Sequence, residues 1–434
     1  MIKDFDVSSS QVLSQLSEFS EEFSLSPSLR LSAPPRDTKS VGDGSRGDAE
    51  MRRVRLGEVA EEVRGNWAGE TKDVPVVGLE HLDPDDIWLR KWEVNPSEST
   101  FTKAFRKGQL LFGRRRAYQK KLSLAPSDGI CSGDITVIAA KGDKVIPELL
   151  PFFLRTDKFF DYAIQGSAGS LSPRVKWAHL ANYEFDLPPI ERQRELANLL
   201  WAANDLKESY KKAISATDEM LKAKFREMFG GAGDTSRGDA EERSFQSKWP
   251  MVRFDDVAPS RLGKMLDARK QTGKWLRPYL ANVNVQWFRF DLSNLREMDF
   301  NEEDQQEFAL QDGDLLICEG GEVGRCAIWH CQLKECYFQK AIHRVRCDRK
   351  KIIPEYVAFW FLIQSQNGLF AKEGKGTTIA HLPGEKLKEL KIPLPPLSLQ
   401  REFVAIAEKA DAAKSALKKS IADIEQVMKG LVNG

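Results

Sequence analysis

The sequence predicts a mixed α/β (α+β) protein: two tandem globular domains, each followed by a long helix, with the two helices pairing as an antiparallel coiled coil. Three observations carry that prediction. The chain repeats itself, so that "DLPPIERQRE" (Asp186–Glu195) returns 207 residues later as "PLPPLSLQRE" (Pro393–Glu402). Short apolar runs broken by Gly, Pro and Asp precede each copy, as strands and turns require. A proline-free tract with heptad spacing follows each copy.

Residues 1–50 read as an N-terminal extension, partly flexible. They hold nine acids and five bases, so this segment carries −4 of a chain whose total is +1. Within it, Ser8–Phe23 places Val12, Leu16, Phe19 and Phe23 on one helical face. Residues 51–186 form the first domain and 249–393 the second. "ITVIAA" (Ile135–Ala140) and "DLLIC" (Asp314–Cys318) read as strands. "PELLPFFLRTDKFFDYAI" (Pro147–Ile164) and "PEYVAFWFLIQSQNGLF" (Pro354–Phe370) each read as a helix with Pro in its first turn. Residues 187–230 are the central helix, 231–248 a linker and 394–434 the C-terminal helix. The linker's "GDTSRGDAE" (Gly233–Glu241) repeats "GDGSRGDAE" (Gly42–Glu50), which marks where each copy begins.

In the central tract, apolar or small residues recur at Leu196, Leu199, Ala203, Leu206, Tyr210, Ala213, Thr217 and Met220. In the C-terminal tract they recur at Phe403, Ile406, Ala410, Ala413, Leu417, Ser420, Ile424, Val427 and Leu431. Alternating steps of three and four favour a coiled coil. The double proline ends the last strand of each domain, since proline cannot continue a ladder. Gln-Arg-Glu then opens the helix. The motif occurs twice because the chain makes the same domain-to-helix joint twice.

Composition narrows the function. With 41% hydrophobic and 30% charged residues in 434, the chain has a globular profile. No run approaches the ~18 apolar residues of a membrane span, and the first residues lack a signal-peptide core. Six cysteines without a C-x-x-C pair read as reduced thiols of a cytoplasmic protein. Catalytic motifs are imitated and missed. "FGGAG" (Phe229–Gly233) has the outline of an S-adenosylmethionine loop but follows a helix where a strand is needed. "GLFAKEGKG" (Gly368–Gly376) lacks the hydroxyl residue of a phosphate loop. His81, His179, His330, His343 and His381 show no metal spacing, so no metal site is expected.

Binding chemistry remains. "FGRRRAYQKK" (Phe112–Lys121) sets Arg114, Arg115, Arg116, Lys120 and Lys121 around Tyr118, directly after a predicted strand. Arginine can clamp guanine, and both cations neutralise phosphate. "GSLSPRVKW" (Gly169–Trp177) adds Arg174 and Lys176. Its counterpart adds Lys375, Thr377, Thr378 and His381. The second copy also offers Arg325, His343 and Arg344. The bland alternative is a set of solvated loops, and for "HRVR" (His343–Arg346) a strand that is half structural.

With the twin "LPPxxxQRE" joints, the heptad helices, and the stretches Gly108–Ile138 and Gly313–Trp329, the chain resembles the specificity (S) subunit of a type I restriction–modification system from about residue 51 to its end. The resemblance implies two target recognition domains, each reading one half of a split, asymmetric sequence in double-stranded DNA. It implies helices that set the spacing and dock methyltransferase (M) subunits, two of them, with restriction (R) subunits as possible further partners. It implies no catalysis and no cofactor on this chain, with S-adenosylmethionine bound by the partner. The expected helix-packing positions are Leu196, Leu199, Leu206, Tyr210, Phe403, Ile406, Leu417, Ile424 and Val427. The rival expectations are a tandem-repeat protein-binding scaffold without DNA specificity, or a self-contained methyltransferase or nuclease.

Overall fold

The computed structural model describes residues 51–94, 100–142, 144–169, 172–230, 249–267, 271–370 and 381–433. The N-terminal extension, the linker, and Lys375, Thr377 and Thr378 lie outside the described residues. The chain divides into two compact units, one of residues up to 211 together with 418 onward, the other of residues 212–417.

In the first unit, an antiparallel four-stranded sheet runs in the order Ala60–Glu62, Ile135–Ala140, Leu110–Gly113, Leu122–Leu124. A second sheet, ordered Glu93–Val94, Pro75–Val77, Gly129–Cys131, Lys103–Phe105, contains a parallel pairing of Val76 with Ile130. Alternation along the strands divides the core. Leu111 and Val137 join Val77, Phe105 and Cys131 of the second sheet. Leu110, Phe112 and Ile138 point the other way and meet Phe152, Phe153, Phe159 and Phe160.

The second unit repeats the plan. One sheet is ordered Ser260–Leu262, Ile342–Val345, Leu315–Cys318, Cys326–Ile328, and the other Arg296–Asp299, Leu276–Leu280, Tyr337–Phe338. Its parallel pairing joins Tyr279 to Tyr337. Leu316 and Cys318 face Leu280, Met298 and Phe338. Leu315 and Ile317 face the helix Pro354–Gln366.

The expected helix over 147–164 is two helices, Leu150–Leu154 and Asp157–Gln165. Thr156 caps the second, its Oγ1 accepting from Phe159 N at 3.2 Å. Arg155 leaves the helix axis to donate to the carbonyls of Asp86 at 2.8 Å, Pro84 at 2.6 Å and Leu122. No residue in the run's sequence alone announces that break.

Each domain stands on a two-stranded stem. Arg52–Arg55 pairs antiparallel with Glu184–Leu187, and Met251–Arg253 with Lys391–Pro393. The prolines follow, and then the helices Ile190–Phe229 and Leu397–Asn433. The glutamine of each motif is buried at the joint. Gln193 Nε2 donates to the carbonyls of Lys144 at 3.0 Å and Pro188 at 2.9 Å, and Oε1 accepts from Ile146 N at 2.8 Å. Gln400 Nε2 donates to Lys351 at 3.0 Å and Pro395 at 2.9 Å, and Oε1 accepts from Ile353 N at 3.0 Å. All three partners are displaced by 207 residues. One side chain thus satisfies backbone groups on two segments where the helix leaves the domain.

Leu199, Ala203 and Leu206 of the central helix cluster in the first unit with Ile424 and Val427 of the C-terminal helix, with Tyr210 beside them. Lys207 Nζ reaches Glu425 at 3.5 Å. In the second unit Asp218 meets Lys414 at 2.7 Å, while the rings of Phe225 and Phe229 lie 5.2 and 5.6 Å from that of Phe403. That segment is antiparallel. Leu196 and Phe403, equivalent at offset 207, are sunk into the first and second domain cores. Ile406 and Leu417 are half-buried. The heptad phase of the central helix does not hold to Met220, which is 46% exposed while Leu221 is 2%. A 3.6-residue turn drifts against a 3.5-residue repeat, and here the seam moves on to Leu221, Phe225 and Met228. Among the described residues no helix is long and apolar enough to cross a membrane, and no group of three His, Cys, Asp or Glu is placed to hold a metal.

Candidate nucleic-acid interface

The strand Leu110–Gly113 is buried along its length, and the arginine run begins where it emerges. Backbone bonds fix that emergence. Arg114 N donates to Asp134 O at 3.0 Å, Arg116 N to Pro173 O at 2.9 Å, and Val175 N to Arg114 O at 3.0 Å. A β-bridge joins Arg115 to Arg174. The fold therefore brings together two cationic stretches about sixty residues apart in sequence.

Their side chains differ in role. Arg115 Nη1 reaches Asp134 Oδ2 at 3.3 Å and its Nη2 donates to Ser172 Oγ at 2.9 Å. Arg174 Nε donates to Asp134 Oδ1 at 2.7 Å. Partial burial pushes the Asp134 carboxyl up, but the two guanidiniums outweigh it and hold the group below its ordinary range. Arg116 and Lys120 both adopt positive φ, 56° and 52°, at the two ends of a single turn, and Tyr118 between them is 55% exposed. Neither is glycine, so the turn carries backbone strain. Lys120 Nζ sits 2.6 Å from Asp157 Oδ1, at the start of a helix. Arg114 is half-buried, with its Nε lacking a partner among the described residues. Lys176 is exposed just before the short helix Trp177–Leu180.

Two of the expected contact residues serve the fold. Lys121 Nζ donates to Leu79 O at 2.6 Å, and Arg325 Nη2 to Asn282 O at 2.9 Å. Leu79 and Asn282 open equivalent single-turn helices, Leu79–His81 and Asn282–Asn284. These cations peg the same turn in both domains, and Arg325 also pairs with Glu322 at 3.4 Å. His343 is a correction. It is 1% exposed with its ring nitrogen 2.9 Å from Leu382 O, and burial lowers its pKa, so it is an interior group rather than a DNA contact. Arg344 on the same strand donates to the carbonyls of Glu307 at 2.7 Å and Ala309 at 3.3 Å and lies over the Phe338 ring. Its guanidinium is spent on the domain itself.

The same backbone wiring recurs in the second domain. Glu319 N donates to Ala341 O at 2.9 Å, and Leu382 N to Glu319 O at 2.8 Å. These bonds make Glu319 the counterpart of Arg114, Ala341 of Asp134, and His381 of Arg174. His381 is exposed and lies against Gly320, where Arg115 stands in the first domain. Sequence reasoning missed Asp134 and Ser172. Each is a single polar residue in a loop, and only the folded bridge shows their partners.

Comparison with known proteins agrees with this architecture. The family "Type I restriction modification DNA specificity domain" matches residues 246–426. The type I restriction enzyme EcoKI specificity subunit of Escherichia coli (strain K12) is 23% identical over 267 residues, 59% of this chain and 56% of that one. The EcoBI specificity subunit of Escherichia coli is 22% identical over 291 residues, 61% of this chain and 60% of that one. The chain thus spans somewhat more than half the length of these relatives. A chain solved for "Structural basis underlying complex assembly and conformational transition of the type I R-M system" superposes with a TM-score of 0.54 at 20% identity, covering 88% of this chain and 96% of that one, so the fold is shared. A domain-and-helix unit built twice, a specificity-domain match over residues 246–426 and relatives of one kind make this chain similar to type I restriction–modification specificity subunits.

Proposed function

We propose that this chain is the non-catalytic DNA-recognition subunit of a type I restriction–modification complex in the cytoplasm. Its two domains read the two halves of an asymmetric, interrupted sequence in double-stranded DNA. One observation carries this: equivalent backbone positions present Arg115, Asp134 and Arg174 in one domain and Gly320, Ala341 and His381 in the other. A shared frame with different tips suits two different half-sites. Helices of 40 and 37 residues are on the order of 55–60 Å long at 1.5 Å per residue. Paired along their length as an antiparallel coil, they would fix the half-site spacing and dock two methyltransferase subunits, with restriction subunits as further partners. S-adenosylmethionine belongs to the methyltransferase, which must flip an adenine to reach it.

The test is to assemble the chain with its methyltransferase partner and map modified adenines genome-wide, with and without this chain. A split recognition sequence that disappears without the chain is the expected result. Modification unaffected by the chain, or DNA binding without sequence preference, would instead make it a scaffold.

A further inference from the structure

We propose that Asp134 is a positioning residue that aims the guanidinium of Arg174 at the O6/N7 edge of one guanine in the half-site of the first domain. This deepens the DNA-recognition reading and rests on it. The geometry is layered. Ser172 Oγ accepts from Arg115 Nη2 at 2.9 Å, Arg115 Nη1 faces Asp134 Oδ2 at 3.3 Å, and Asp134 Oδ1 accepts from Arg174 Nε at 2.7 Å. Asp134 N donates to Ser132 Oγ at 3.2 Å, which fixes the loop that carries the carboxylate. Both terminal nitrogens of Arg115 and both oxygens of Asp134 are therefore occupied. Arg174 is held only through Nε. Among the described residues its Nη1 and Nη2 meet no protein acceptor, and its side chain is 47% exposed. Those two donors form the fork that matches the paired acceptors of guanine in the major groove.

A phosphate-binding role fits the cluster less well. A carboxylate between two guanidiniums reduces net positive charge from two to one and repels phosphate. It restricts orientation in exchange, which matters for reading a base and little for neutralising a backbone. In the second domain the carboxylate is absent, since Ala341 takes its place, and the outermost group is His381. The device therefore belongs to one half-site.

The experiment uses the full chain assembled with its methyltransferase partner and a randomised duplex pool. Wild type should enrich a split sequence with a guanine in one half. No enrichment at all would defeat the recognition reading itself, whereas an enriched half-site without guanine defeats only this inference. Arg174→Ala, a half-exposed site where folding is safe, should cut preference for that guanine roughly 5- to 150-fold and leave the other half-site intact. Asp134→Asn should lose preference at the same position while binding unrelated DNA more tightly, with a steeper salt dependence; Asp134→Glu should restore part of the preference. A merely structural defect would weaken both kinds of binding. Replacing the guanine by 7-deazaguanine should weaken wild type and leave Arg174→Ala unchanged. Equal weakening of both proteins, or a uniform loss across all sequences in Arg174→Ala, overturns the assignment.

Discussion

Gln193 and Gln400 make the same three hydrogen bonds, to partners displaced by 207 residues in every case. At the cationic loops of the same domains, Arg115, Asp134 and Arg174 give way to Gly320, Ala341 and His381 at positions matched by two equivalent backbone hydrogen bonds. The difference separates two kinds of constraint. At the joint, backbone groups must be satisfied whatever the domain binds, so the side chain that satisfies them is kept. At the tip, the backbone satisfies itself, and side chains are free to differ.

The strongest way to break the comparison is at the paired core positions. Phe403 touches Phe225, Phe229 and Phe359, with ring centroids 4.8–5.6 Å away. Phe403→Ala should cost about 3–5 kcal/mol and Leu196→Ala about 2–5 kcal/mol, both by cavity formation. Denaturant unfolding of the two variants should show the larger loss in the second unit. Losses confined to the other unit would refute the equivalence of the positions.

A second test is Gln193→Ala against Gln400→Ala. Each leaves equivalent backbone groups at the joint without partners, at up to about 1–3 kcal/mol for each one shielded from water. The two variants should lose similar stability, and chemical unfolding would measure it. An unchanged midpoint in either would show that water or a shifted backbone replaces the glutamine.

A third distinguishes the domains by acid. Burial acts to raise the pKa of Asp299, but amides of Trp275, Thr272 and Gly273 and the Thr272 hydroxyl hold it at about 2, against an ordinary 3.8. Because the folded value lies below the unfolded one, this stabilisation is full above about pH 4 and is lost as pH falls towards 2. Asp299→Asn should flatten the acid response of the second unit within that window and leave the first unit's unchanged. A pH titration of unfolding checks it.

The smallest effect is chemical. Cys331 is exposed, whereas burial pushes the Cys131 and Cys336 thiols up to about 12 and Cys318 to about 11. A maleimide should label Cys331 first, at neutral pH and without loss of structure. Early labelling of Cys131 would show that the first domain opens more readily than the second.

Much of this was legible in the sequence because it is local or repeated. The double prolines, the run "ITVIAA" and the heptad steps each lie within a short window, and the duplication repeats the prolines and the heptad steps in a second copy. The tip was half legible. Charge density marked Arg114–Lys121, but it could not separate Lys121, which donates inward to Leu79, from Arg174, which faces out. Nor could it show Asp134, whose partners lie 19 and 40 residues away. Which way a cation turns is decided by long-range pairing, and no window contains that.

The two-stranded stems have one more consequence. In each domain the incoming strand lies antiparallel beside the outgoing one, Arg53 opposite Asp186 and Val252 opposite Ile392. The chain therefore leaves each domain beside the point where it came in, and the glutamine that locks the exit draws all its partners from that domain and its own joint. Such a domain is a cassette. Cut at the stem, it would carry its tip chemistry with it as one piece, provided that its core still accepted the helix side chains sunk into it, Leu196 in the first domain and Phe403 in the second.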